Sequence, residues 1–250
     1  MSKKIRIGLV GYGKAGKAVA NVLSNDLRFE LRWIARHSAS AEPRNHPDTD
    51  TPIIGLEQRS FADLFEAMPV DAVVDFSSRE SLHAYGEEVR KRGVALVSAI
   101  SAYSEDDLDY ARSLGRDTRV LCSPNITLGI NFLIVAANLL RKAAPFADVN
   151  IVEQHFRDKP EISGTARKIA ETLEVDEGQI TSLRFGGIVG HHEVIFGFPH
   201  QTVRLIHDSI RREAFGTGAA FALEHLAGCA NGFYTFDDLL LRLMRAELLQ

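Results

Sequence analysis

Cysteine, tryptophan and methionine are all scarce in this chain: its 250 residues include two Cys, one Trp and three Met. Cys122 and Cys229 stand far apart and in no zinc-like spacing. That argues against a disulfide framework or a cysteine-built metal site, and fits a reducing compartment. Long apolar runs are also missing, and none approaches the roughly 18 residues a membrane span needs. Met1-Ser2-Lys3-Lys4 leads into an apolar stretch too short for a signal h-region, so a cytoplasmic location is expected. Neither sign of charge dominates. With 29 Lys+Arg against 33 Asp+Glu, the net charge of -4 provides no basic surface for nucleic acid and no polybasic membrane patch. The 45% hydrophobic content suffices for one large core or two modest ones.

The pattern of segments is informative. Ile5–Val10, Phe29–Ala35, Val70–Phe76, Val94–Val97 and Arg119–Cys122 read as strands, with helical spacing between them over 17–23, 61–68, 80–92 and 105–114. This alternation predicts a parallel sheet with helices on both faces. Ser38–Pro52, rich in Ser, Pro, Asn and Asp, reads as an exposed loop. Beyond Pro124-Asn125 the pattern changes. A long helix over 131–143, a strand ending at His155 and a helix over 164–173 precede strands at 181–185, 194–198 and 202–206. The expected fold class is α/β: a Rossmann-like doubly wound domain over 1–126, then an α+β domain with a mostly open mixed sheet over 127–231. A C-terminal helix over 232–250 is expected to return to the first.

Gly11-Tyr12-Gly13-Lys14-Ala15-Gly16 lies between a predicted strand and helix, the context in which G-x-G-x-x-G marks a dinucleotide site. Gly11 allows the tight turn, Gly13 admits the pyrophosphate, and Gly16 lets helix and strand pack closely. The second strand ends in Arg36-His37-Ser38, where NAD sites usually carry an acidic residue for the ribose hydroxyl. A guanidinium there pairs with a 2′-phosphate, so NADPH is favoured, with NADH as a second usable cofactor. Phe76 and Ser77, at another strand end, are further cofactor candidates; a polar end capping the helix from Glu80 is an equal reading. Ser98, Ala99 and Ser101 lie where a nicotinamide ring is expected.

The most chemical stretch is His155-Phe156-Arg157-Asp158-Lys159, followed by Ser163-Gly164-Thr165 at a helix start. Val149, Ile151, Glu153 and His155 share one strand face. Lys159 and the amides of Ser163–Thr165 form a receptor for a carboxylate or phosphate. Together these groups suggest an enzyme that binds a small acid and protonates it, with His155 and Lys159 as catalytic candidates and Lys159, Ser163, Gly164 and Thr165 as substrate-binding ones. His191-His192 does not suggest a metal site, because neighbours on a strand point to opposite faces. No metal is expected.

These pieces, in this order, resemble the 4-hydroxy-tetrahydrodipicolinate reductase (dihydrodipicolinate reductase) family of lysine and diaminopimelate biosynthesis. The resemblance is carried by Gly11–Gly16, Asp75-Phe76-Ser77, Pro124–Asn131, Glu153–Lys159, Ser163–Thr165, Ile188–Val194 and His207–Phe215. It implies a two-domain, tetrameric reductase that passes hydride from nicotinamide to a cyclic imine dicarboxylate, its second domain supplying substrate binding and oligomerisation. In it, His155 is the general acid, Lys159 a substrate partner, and Ser163-Gly164-Thr165 the seat of a carboxylate. Three departures stand out. Phe156 replaces the family's second histidine, the segment from Lys159 to Ser163 is one residue shorter than usual, and Ser98-Ala99-Ile100-Ser101 replaces a Gly-Thr-Thr-Gly loop. They motivate two competing readings: a sibling reductase acting on another cyclic imine or small keto acid, and a non-catalytic dinucleotide-binding sensor.

Overall fold

The computed structural model describes residues 3–38 and 44–248. They form two compact units: one runs to Thr127 and resumes at Phe215, and the other is Leu128–Ala214.

The first unit is built on a seven-stranded parallel sheet. Its strands are β1 (Ile5–Val10), β2 (Phe29–Arg36), β3 (Ile53–Gly55), β4 (Ala72–Asp75), β5 (Ala95–Ser98), β6 (Arg119–Cys122) and β11 (Gly232–Tyr234). The order β11-β6-β5-β4-β1-β2-β3 is the doubly wound arrangement with one late strand added at an edge. Helices α1 (Lys14–Ser24), α2 (Phe61–Ala67), α3 (Arg79–Arg92) and α4 (Glu105–Leu114) make the crossovers. The helix boundaries follow local chemistry. Ser104 and Asp107 form a reciprocal capping box at the start of α4, and Gly93 ends α3 in the left-handed region at φ 64°. The core packs Trp33, Phe65, Leu82, Tyr85 and Leu96, all fully buried, and the Trp33 indole N–H donates to the Met68 carbonyl at 3.0 Å.

The second unit is a four-stranded mixed sheet of order β10-β9-β7-β8: β7 (Asp148–His155), β8 (Ile180–Arg184), β9 (Gly190–Phe198) and β10 (Gln201–Ser209). Helices α5 (Leu128–Ala143) and α6 (Gly164–Leu173) supply the residues that pack with one face, where Ile134, Val149, Ile151, Ile169, Val194 and Phe196 are buried. Period-2 alternation therefore assigns Glu153, His155 and His192 to the buried side and Val152, Gln154 and Glu193 to the other.

Several elements differ from expectation. Helix α7 (Glu213–Ala227) has no counterpart among the expected elements, and from Phe215 onward it belongs to the first unit. The boundary thus lies at 214/215 rather than 231/232, because small residues seat α7 against the first unit: a methyl on Gly216 would lie 2.5 Å from the Val22 side chain. The returning tail is strand β11 followed by α8 (Phe236–Leu248), not helix throughout; Gly232–Tyr234 pairs in parallel with Arg119–Leu121. The short β3 was missed. Residues 39–43 of the predicted exposed loop lie outside the described residues. The remainder is partly folded in, with His46 and Thr51 buried and an antiparallel bridge between Asn45 and Pro52.

Candidate active site

Two places concentrate chemistry, one in each unit. In the first, the glycine loop joins β1 to α1. Gly11 adopts φ 94°, and a side chain there would sit 2.7 Å from the Phe76 backbone; at Gly16 it would meet the Gly11 carbonyl at 2.1 Å. A methyl on Gly13 would meet nothing within 4 Å, so the middle of the loop is open to a ligand. Helix α1 has Gly13 as its N-cap, no side-chain cap and no acidic residue in its first turn, which leaves its positive end for an anion. Lys14 opens the helix, Ala15 follows, and Tyr12 lies beneath the Lys17 ammonium, 5.5 Å from its ring centre. Arg36 ends β2, and its buried Nε has no hydrogen-bond partner among the described residues. An orphaned guanidinium nitrogen beside an anion-ready helix end fits a phosphorylated dinucleotide.

The strand ends opposite hold Phe76, Ser77, Ser98, Ala99 and Ser101. Asp75 is fully buried and accepts from the Ser77 amide at 2.8 Å, from the Ser77 hydroxyl, and from Tyr85 at 2.6 Å. Burial pushes its carboxyl up to about 6, against the pull of those three donors. Phe76 and Ser77 thus ride on a turn that Asp75 holds against Gly11. Ser98 is completely buried: its hydroxyl shares a 2.8 Å hydrogen bond with Tyr103, and its carbonyl accepts from the Ser123 amide at 2.9 Å. The Ala99 amide is spent on the Asp75 carbonyl, while Ser101 is exposed.

The second place lies at the end of β7. His155 is nearly buried, and its Nδ1 pairs with Glu153 Oε2. Glu153 is completely buried and gathers further donors. Arg184 reaches it through two nitrogens at 2.6 and 3.0 Å, the Ser182 hydroxyl at 2.7 Å and the Ser163 amide at 3.3 Å. Burial alone pushes this carboxyl up. The hydrogen bonds, led by Arg184, overcome that and hold it at about 2. An always-ionised acceptor on Nδ1 requires a hydrogen on that nitrogen, so Nε2 is the atom of His155 that carries or releases a proton. A methyl on Gly190 would lie 3.2 Å from that Nε2, so the absence of a side chain there keeps its surroundings clear.

Lys159 follows in the loop, partly exposed, and makes no ion pair among the described residues. Its carbonyl is held by Arg184 Nε at 3.1 Å, so the cation that fixes Glu153 also fixes the lysine's backbone. Ser163 is buried at the start of α6, Gly164 is exposed with open space where a side chain would be, and Thr165 is partly exposed. Helix α6 has no acidic residue in its first turn and no side-chain cap from Ser163, so its N-terminal dipole is uncompensated locally. Glu161 is mostly exposed, 3.8 Å from Arg167. Phe156 is exposed.

Glu153, Ser182, Arg184, Gly190 and His192 escaped assignment from the sequence. The signal for Glu153 was present, since a carboxylate in register with Val149 and Ile151 must be buried and must find donors. Arg184 gave no signal, because its partner lies across a strand pairing. The adjacent histidines do face apart: His191 bonds Asp208 at 2.7 Å, and His192 turns inward to Ser163 at 2.9 Å. No cluster of three or more His, Cys, Asp or Glu among the described residues is placed to hold a metal ion.

A doubly wound unit with an open glycine loop, coupled in one chain to a carboxylate-held histidine, defines a dinucleotide-dependent oxidoreductase. Comparison with known proteins makes this specific. Residues 5–126 match the family model for the N-terminus of dihydrodipicolinate reductase, and residues 126–240 that for its C-terminus. The chain belongs to the dihydrodipicolinate reductase family. Among its relatives, the 4-hydroxy-tetrahydrodipicolinate reductase of Thermosipho africanus is 32% identical, with 94% of this chain and 98% of that protein covered. The enzyme of the same name from Caldanaerobacter subterraneus subsp. tengcongensis is 30% identical, over 91% of this chain and 94% of the relative. A solved dipicolinate-bound dihydrodipicolinate reductase from Paenisporosarcina sp. TG-14 superposes with a TM-score of 0.80 at 22% identity, covering 93% and 98% of the two chains.

Proposed function

We propose that this chain reduces 4-hydroxy-tetrahydrodipicolinate to tetrahydrodipicolinate in lysine and diaminopimelate biosynthesis, the first unit holding the nicotinamide cofactor and the second the substrate. The observation that carries the reading is the buried Glu153 fixed to His155 Nδ1 beside Lys159 and the start of α6. A bound reduced nicotinamide supplies the hydride. The chain's own residues do the rest. Lys159 and the Ser163–Thr165 turn take a substrate carboxylate. The 4-hydroxyl leaves as water, and His155 delivers from Nε2 the proton that the resulting dihydro ring needs after hydride arrives. Glu153 holds the imidazole in one tautomer and balances its charge.

Arg36 supports NADPH as the preferred cofactor, through a fork on the 2′-phosphate. The unpaired, buried cysteines support a cytoplasmic location. No helix among the described residues is long and apolar enough to cross a membrane. The sheet face of the second unit that lies away from the helices carries Val152, Leu183, Ile195 and Ile206, the last 55% exposed. The same face carries Gln154, Glu193, Arg204 and Asp208, and a broad face of mixed apolar and ionic groups left open by the helices supports assembly as a homotetramer.

The test is NADPH consumption with the cyclic product of pyruvate and aspartate semialdehyde. Turnover of that product, lost in His155→Ala and Lys159→Ala while cofactor affinity persists, is the expected result. Preference for another imine or 2-oxo acid selects the sibling-reductase reading, and cofactor binding without any turnover selects the sensor.

A further inference from the structure

Among the groups that the mechanism above leaves unused, His192 is the most constrained. It lies on β9 directly across from Glu153 on β7, on the buried face, and is 4% exposed. Its Nε2 is 2.9 Å from Ser163 Oγ, and its Nδ1 is buried with no hydrogen-bond partner. The His155 ring stands edge-on to it with centroids 5.3 Å apart. Burial, reinforced by His155 and His207, pushes His192 down to about 3, against the opposing pull of Glu153. It is a neutral ring at working pH, with one hydrogen to place.

Placing that hydrogen on Nδ1 would bury a donor with nothing to receive it, which native structures avoid more strictly than an unused lone pair. On Nε2 it meets Ser163 Oγ. The serine oxygen then accepts, and its own hydrogen is left over. Ser163 is also fixed from its backbone, since its amide donates to Glu153. A serine held at both ends, with its oxygen already accepting from the ring, has its O–H free to donate to an anionic ligand.

We propose that His192 is a positioning residue for the substrate: by donating from Nε2 to Ser163 Oγ, it commits the Ser163 hydroxyl to donate to the substrate carboxylate. This rests on reading the Ser163–Thr165 turn as the carboxylate's seat. A second consequence is that the two imidazoles, set edge-on, divide their labour. The one bonded to a carboxylate handles the proton, while the one bonded to a hydroxyl stays uncharged and orients a hydrogen bond.

Ring ¹⁵N–¹H correlation spectra of the full chain at about pH 7 read the tautomer directly. The His192 signals are identified by their loss in His192→Gln. The expected pattern is a neutral ring with its hydrogen on Nε2; a hydrogen on Nδ1, or a doubly protonated ring, overturns the proposal. In steady-state kinetics, His192→Leu should raise KM for the imine dicarboxylate about 10- to 100-fold, the loss of one charge-assisted hydrogen bond, with kcat changed far less. His192→Gln, which still donates to Oγ, should recover most of that KM. In a Ser163→Ala background, His192→Leu should add little more. An unchanged KM in His192→Leu, or equal damage by Leu and Gln, refutes the assignment. If the intact chain does not turn over the imine at all, the functional reading falls, while the spectra still decide the tautomer.

Discussion

Among the described residues each unit buries one carboxylate completely, and the two behave in opposite ways. Asp75 meets only neutral donors, the Ser77 amide and hydroxyl and the Tyr85 hydroxyl, and its carboxyl rises to about 6. Glu153 meets a guanidinium, an imidazole, a hydroxyl and an amide, and falls to about 2. Both are closed off from solvent, but burial weighs more heavily on Asp75 and only Glu153 has cationic donors, and both differences drive the two apart. The first arrangement holds a turn against the glycine loop. The second keeps a permanent negative charge behind a histidine.

The largest effect that would sharpen this contrast is catalytic. His155→Ala should lower turnover about 10²–10⁴-fold, measured by NADPH oxidation, because the proton carried by the Glu153-bound ring is lost. Next is Gly190→Ala, whose methyl would crowd Nε2 at 3.2 Å. Turnover should fall up to about 100-fold with cofactor affinity unchanged, and full activity would show that protons do not leave by that nitrogen. Arg184→Met strands a buried charge and should cost about 3 kcal/mol in urea unfolding, whereas Asp75→Asn, which removes a charge no cation balances, should cost under about 1 kcal/mol near pH 8. Equal losses would break the comparison.

The smallest effect is in pH dependence. The pKa of Glu153 lies below its ordinary value of 4.5, so its contribution to stability is present above that pH and lost as pH falls toward 2. His192, held down to about 3 from 6.5, works in the same direction, opposing folding as acid approaches. The pKa of Asp75 is raised, so its burial costs least below about 4 and most above about 6, and its effect on stability has the opposite sign in between. The single tryptophan, Trp33, lies in the first unit and reports it alone by fluorescence. Amide hydrogen exchange along β7 and β9 reports the second. On acidification from pH 6 to 4, protection in β7 and β9, taken relative to the intrinsic exchange rate at each pH, should fall before the Trp33 signal moves; the reverse order would contradict the assignment.

Much of this was legible in the chain. Alternating strands and helices, the glycine loop and Arg36 follow from periodicity and spacing, because each is a local property. So does the seating of His155 beside a helix start. What escaped was set by pairing between distant strands. Arg184 reaches Glu153 only because β8 runs parallel to β7 in one register, and His192 faces Ser163 only because β9 lies antiparallel on the other side. Helix α7 was missed for a related reason: its Gly- and Ala-rich face announces close packing without saying against which unit.

Arg184 has one further consequence. Its nitrogens reach both oxygens of Glu153 and the carbonyls of Lys159, Glu161 and Leu183. One flat cation thus rivets the ammonium-bearing loop to the same anchor as the imidazole. The backbone under the ammonium is consequently pinned relative to the imidazole; under the proposed function, the guanidinium is a ruler that fixes where the lysine's stem starts.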